Sequence, residues 1–420
     1  MFDYRLTCGI ASLCFLLISS MEFAGDHEES TDIESLYDSH DWFGLRDAVR
    51  ARKAPAFYRG AVASAFGDLQ GAREQFGSVI KSAPKSHRAY QSHNMLAYLY
   101  SRTAQYRRAL KEIEQMLSIR PDNASDQAGL RLYTALCQSL DQSVTERGHS
   151  KLRYELKIGS PFVSVSVNGK SVKYMFDTGL NISMMSESEA KRLGLTFYQI
   201  PTDVSKIEGS SGVQPQANYQ IAIAEQVSVG AFHLSHVPFL VTSDSQEPWT
   251  DLQQGERGAL GIAVLQAFRS LRFGQDGTLE INLRLKNLTA QPNLCFEKAS
   301  PIVEAGFARK KLRLVLDTGA AESHLSIRFA SEFAALVTKS VQKDVRDIHG
   351  IDGSRQVEAA TLQELRLQLG GGYTLLRPAQ VLLGRTNPDL DDFHGVLGWD
   401  LLSQARSITL DFESMALALE

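Results

Sequence analysis

Tyr174-Met175-Phe176-Asp177-Thr178-Gly179 and Leu314-Val315-Leu316-Asp317-Thr318-Gly319 are two copies of one phrase, in which an apolar strand runs directly into an acid, a hydroxyl and a glycine. A carboxylate at the end of a buried strand is costly unless it finds partners. The glycine permits a tight turn that brings backbone N–H groups onto the acid, and the threonine hydroxyl can bond across to another backbone. A single Asp-Thr-Gly is most often a turn aspartate capping its own backbone. Here the triplet recurs 140 positions on, and two further elements recur with it in the same order. Ile207-Glu208-Gly209-Ser210-Ser211-Gly212 answers Ile348-His349-Gly350-Ile351-Asp352-Gly353, each set among polar residues as suits an exposed hairpin tip. Gly258-Ala259-Leu260-Gly261 answers Gly395-Val396-Leu397-Gly398. Three markers in register define a duplicated unit.

Outward from the triplets, Val163-Ser164-Val165-Ser166-Val167 and Leu312-Arg313-Leu314-Val315-Leu316 alternate at strand period between Gly-containing turns. The expected fold is therefore multidomain α+β, with an N-terminal all-α helical repeat segment followed by two tandem all-β lobes, spanning 152–290 and 296–420. Each lobe carries its own strands, hairpin and acidic turn, so residues from about 150 onward are expected to fold without the helices.

The paired triplets together with Ala259-Leu260-Gly261 and Val396-Leu397-Gly398 resemble the aspartic protease family, as retropepsin-like lobes joined in tandem into a pepsin-like pseudo-dimer. The resemblance implies that Asp177 and Asp317 form the catalytic pair, one from each lobe. It implies that Thr178 and Thr318 brace the facing turns, that Gly179, Gly319, Gly261 and Gly398 shape them, and that the hairpins of Gly209 and Gly212 and of Gly350 and Gly353 close as flaps over a peptide. The chemistry implied is hydrolysis by a water activated between two carboxylates, with no cofactor and no metal. Carboxyl groups about 3 Å apart cannot both ionise readily, so they share a proton and titrate as a pair. Neither hairpin tip carries a tyrosine, and Leu180 stands where the family usually has Ala, Ser or Thr, whereas Ala320 conforms. Neither Leu180 nor Ala320 can donate a side-chain hydrogen bond to its aspartate, which leaves both apparent pKa values high and puts optimal activity at weakly acidic to near-neutral pH.

Residues 41–147 are rich in Ala, Leu, Arg and Gln with apolar positions at helical spacing. Gly60, Leu69, Ala72, Phe76, Ile80 and Pro84 align at one constant offset with Ala97, Tyr106, Ala109, Ile113, Leu117 and Pro121. Small residues where helices cross, and proline after the second helix, resemble the tetratricopeptide repeat. The alternative is an irregular helical bundle packed on the next domain. Such repeats imply a protein partner, substrate or regulator.

Residues 1–24 resemble a secretory signal peptide, with one Arg and an apolar run from Leu6 to Ser20, which leads to an exported protein, secreted or periplasmic. An uncleaved membrane anchor is the alternative, and the only route to a membrane. Residues 25–40 are acidic and expected to form a flexible linker. The 420-residue chain is 43% hydrophobic and 22% charged, with a formal charge of −4. No basic field would draw it to nucleic acid. The ten histidines form no ligand-spaced cluster, and Cys137 and Cys295 have no Cys-x-x-Cys spacing, so a metal site has no support. Three functions stay open: an active endopeptidase, a peptide-binding pseudoprotease in which Leu180 crowds the site, and an interaction scaffold built on the helices.

Overall fold

The computed structural model describes residues 27–200, 219–283, 292–339, 342–350 and 353–420. The leader-like segment 1–24 and the first Gly-rich hairpin, with Gly209 and Gly212, lie outside them.

Seven helices come first: α1 His27–Asp38, α2 Trp42–Ala51, α3 Ala56–Ala65, α4 Leu69–Ser82, α5 His87–Arg102, α6 Tyr106–Ile119 and α7 Ala124–Leu136. Short polar side chains set several of their starts. Asp41, Asp68, Ser86 and Asn123 each accept a hydrogen bond from the N–H three residues on. The helices α3 and α4 and the helices α5 and α6 form two successive hairpins. At the first crossing Gly60 is needed: a Cβ there would stand 2.7 Å from the Phe76 ring.

The expected flexible linker at 25–40 is corrected by α1. Acids dominate its composition, but Ile33 is buried and Leu36 and Tyr37 pack beside it. The Tyr37 ring meets Trp42 at 5.7 Å and Phe57 at 5.1 Å edge-on, so the segment has apolar partners that outweigh its charge.

β structure begins at Ser143, inside the stretch assigned to helices, because Ser143–Arg147 pairs with Phe232–Thr242. In the first lobe the strand Lys170–Phe176 lies parallel to Gly258–Leu260, with Met175 opposite Ala259 and Phe176 opposite Leu260. In the second, Lys310–Leu316 lies parallel to Gly395–Leu397, with Val315 opposite Val396 and Leu316 opposite Leu397. The two copies thus fold alike. They are not sealed from each other, however. Ser407–Asp411, from the second copy, pairs antiparallel with Ser270–Gly274 of the first, and Ala416–Leu419 extends the same sheet.

Strand alternation divides the apolar residues between two sides. Tyr174, Phe176, Leu260, Leu316 and Leu397 enter the core shared by the lobes. Their neighbours point the other way, and helices cover them. Val315, Val396, Ile302 and Phe393 join a cluster with Ile33, Trp42 and Phe57 from α1 to α3, while Phe162, Met175 and Ala259 join one with Ala104, Tyr106 and Leu136. Arg102 seals the seam between hairpins and second lobe: fully buried, it lies 4.4 Å from the Phe296 ring centroid and donates to the Ser64 and Lys298 carbonyls. The helices thus supply part of the lobes' apolar cover. Cys137 and Cys295 are free thiols. No helix among the described residues is long and apolar enough to cross a membrane.

Candidate active site

Each Asp-Thr-Gly turn leaves the end of its strand and is anchored to its own lobe first. Asp177 N–H donates to the Leu260 carbonyl and Asp317 N–H to the Leu397 carbonyl, both at 3.0 Å. The glycine after each Ala-Leu or Val-Leu pair is held in the same way in both copies: Gly261 N–H donates to Ser183 Oγ at 3.0 Å and Gly398 N–H to Ser323 Oγ at 2.7 Å.

The two turns then lock to each other. Thr178 Oγ1 donates to the Leu316 carbonyl at 2.8 Å and accepts from Thr318 N–H at 3.0 Å. Thr318 Oγ1 donates to the Phe176 carbonyl at 2.7 Å and accepts from Thr178 N–H at 3.0 Å. All four bonds cross the pseudo-twofold axis in a buried setting, where polar groups need every partner. Ser160, at the start of a first-lobe strand, adds a fifth tie by donating to the Gly319 carbonyl at 2.7 Å.

This lock puts the carboxylates face to face. A Cβ on Gly179 would stand 2.7 Å from the Asp317 carboxylate, and one on Gly319 2.3 Å from that of Asp177. Only glycine fits at either place, for reasons of space. Asp177 Oδ1 accepts from Gly179 N–H at 2.8 Å, while Asp317 Oδ1 accepts from Gly319 N–H at 2.9 Å and Ala320 N–H at 3.1 Å. Burial lifts the Asp177 carboxyl well above the usual range, and the Asp317 charge beside it lifts it further against the pull of backbone donors. Asp317 is also raised by burial, and is held back by its bond with Asp177 and by its two amide donors. Both carboxyls are thus raised, and the two hold one proton in common and titrate as a pair.

Of the residues singled out in the sequence, Asp177, Thr178, Gly179, Gly261, Asp317, Thr318, Gly319 and Gly398 thus converge in one network. Gly350 and Gly353 stand apart as partners at the tip of the hairpin formed by Gln342–Gly350 and Gly353–Leu362. Sequence reasoning missed Ser160 and Asp400. Asp400 Oδ1 accepts from Ser323 N–H at 2.9 Å and from its hydroxyl at 2.6 Å, and so fixes the serine that holds Gly398. The first copy has Ala263 at the matching place, so register comparison gives no signal there. Among the described residues no cluster of His, Cys, Asp and Glu could hold a metal ion.

Two β lobes that each supply one Asp-Thr-Gly turn to a shared axis define an aspartic protease fold. Residues 163–264, in the first lobe, match the family model described as aspartyl protease. The chain is similar to three solved structures. A retropepsin-like aspartic protease from Rickettsia conorii is 17% identical over 34% of this chain and 94% of its own, with a TM-score of 0.22. An aspartic proteinase from Irpex lacteus is 11% identical over 65% of this chain and 97% of its own, with a TM-score of 0.36. The retroviral protease-like domain of Ddi1 from Leishmania major is 16% identical over 33% of this chain and 89% of its own, with a TM-score of 0.18. None of the curated proteins searched matches the chain.

Proposed function

We propose that the protein is an aspartic endopeptidase with Asp177 and Asp317 as its catalytic pair. The reciprocal threonine lock carries this reading, because it presses two carboxylates from different lobes together in a buried place where one proton serves both. The ionised member of the pair takes a proton from a water lying between the two groups. The water oxygen attacks the scissile carbonyl carbon, and the protonated member gives its proton to the carbonyl oxygen as charge develops there. Collapse of the resulting diol expels the amine, which takes its proton from the carboxyl that accepted one in the first step, while a diol hydroxyl returns a proton to the other carboxylate and restores the starting pair. Thr178, Thr318 and the four glycines hold the pair in position, and the hairpin of Gly350 and Gly353 folds over the peptide. The helical hairpins resemble tetratricopeptide units and dock a protein substrate or a regulator. The leader-like N-terminus supports export, as a cleaved signal or as an anchor.

The test is cleavage of a diverse peptide library by the purified protein, with and without a transition-state-type aspartic protease inhibitor, beside Asp177→Asn and Asp317→Asn. Turnover that the inhibitor stops and that both folded variants lack is the expected result. Turnover that survives Asp177→Asn would refute the paired mechanism, and a protein that binds the inhibitor without cleaving any peptide would be a pseudoprotease.

A further inference from the structure

Helix α7 does more than cap the helical hairpins. Its residues Ala128, Leu132 and Tyr133 pack in the same apolar cluster as Leu180 and Ile182, which follow directly on the first acidic turn. The same cluster takes in Tyr198 and Ile200, and α7 lies against the strand Thr196–Gln199. Leu180 is only 9% exposed, although its backbone belongs to the turn that presents Asp177. Two ties hold the helix there. The Tyr133 hydroxyl bonds Ser101 on α5, and Gln142, just past α7, donates to the Ala263 carbonyl at 3.1 Å.

An extended peptide lying across the carboxylates needs apolar space on both sides of them for its side chains. On the first-lobe side that space is taken by side chains of the same polypeptide. We propose that α7 is an internal occupant of the first-lobe arm of the substrate groove, and that peptide binds beside Leu180 and Ile182 only when α7 withdraws. The inference rests on the endopeptidase reading for the identity of the groove. It makes the helical segment a brake on the site as well as a docking surface, and an agent that pulls α7 away would release it.

A ligand that needs a minor open state binds more weakly by the fraction of time that state is populated. Leu132→Glu and, separately, Ala128→Glu put a charge into the α7 contact at half-buried positions of the full chain. Two measurements are compared with the native protein for each variant that stays folded by circular dichroism: calorimetric affinity for a non-cleavable hydroxyethylene peptide, and kcat/KM on a fluorogenic peptide. Both should rise by about ten-fold or more, as for a groove open a tenth of the time. Unchanged or lower affinity in the folded variants would overturn the inference and leave α7 a fixed wall, even if the native chain cleaves peptides well. Tighter inhibitor binding without turnover in any form would uphold the brake and sink the endopeptidase reading instead.

Discussion

Thr178→Val isolates the lock between the lobes, because it replaces a hydroxyl by a methyl of similar shape and leaves the volume of the turn almost unchanged. Thr178 and Thr318 are each 1% exposed, so water cannot replace a lost partner. The Thr178 hydroxyl makes two bonds, to the Leu316 carbonyl and from Thr318 N–H. Removing it forfeits two hydrogen bonds at about 1 kcal/mol each and strands a buried carbonyl and a buried N–H, whose desolvation costs about 1–3 kcal/mol each. Because the measured net value of a bond already contains part of that desolvation, the expected loss is about 2–5 kcal/mol. Thr178→Ser keeps the hydroxyl and deletes one methyl, which costs about 1 kcal/mol. Urea unfolding followed by tryptophan fluorescence reads the difference, with Trp249 in the first lobe and Trp399 in the second as reporters. Equal destabilisation by Val and Ser, within about 0.5 kcal/mol, the usual limit of additivity, would show that the cross-lobe bonds do not hold the turns together.

Three other outcomes follow from the same geometry. Gly319→Ala puts a methyl 2.3 Å from the Asp177 carboxylate, so it should cost about 1–3 kcal/mol in stability and about a hundred-fold in kcat, and more than Gly179→Ala, whose clash is at 2.7 Å; melting and steady-state kinetics rank the two. Asp177→Asn should stabilise the fold increasingly as pH rises from about 4, the unperturbed Asp value. The raised native pKa means that the folded state holds its proton more tightly than the unfolded chain, so native stability falls as pH climbs through that value, and the Asn variant is spared. A melting-temperature gap that stayed constant from acid to neutral pH would contradict this. Leu180→Ser with Ala320→Ser adds hydroxyl donors that favour the charged carboxylates, so the acidic limb of the kcat/KM profile should move to lower pH from a native optimum that is weakly acidic to neutral; an unmoved limb would mean that burial alone governs the pair.

The acidic turns and the pairing of their strands were legible because each rests on short-range chemistry that was written twice. Tyr174-Met175-Phe176 and Leu314-Val315-Leu316 even announce burial on both faces, since they are apolar without alternation. Nothing in such a run says what covers the second face, and the answer, helices more than a hundred positions away for Val315, is a tertiary fact. The helix at His27–Asp38 was hidden because acids outnumber the three residues, Ile33, Leu36 and Tyr37, that dock it. Asp400 was hidden for the opposite reason: it acts in one copy alone, and comparison of copies finds only what both retain.

The strand exchange between the copies bears on when, and not only how, the molecule acquires its shape. Arg272 in the first lobe bonds Ser407 in the strand that borders it, 135 residues further along. During synthesis the first lobe emerges with a sheet margin bare, and its neighbour is made many seconds later at about 5–20 residues per second. Closing so long a loop is slow compared with forming local hairpins. Until then the nascent chain presents an open strand edge to its surroundings. The threonine lock needs both lobes, so the same delay withholds the assembled carboxylate pair until the second lobe has been made.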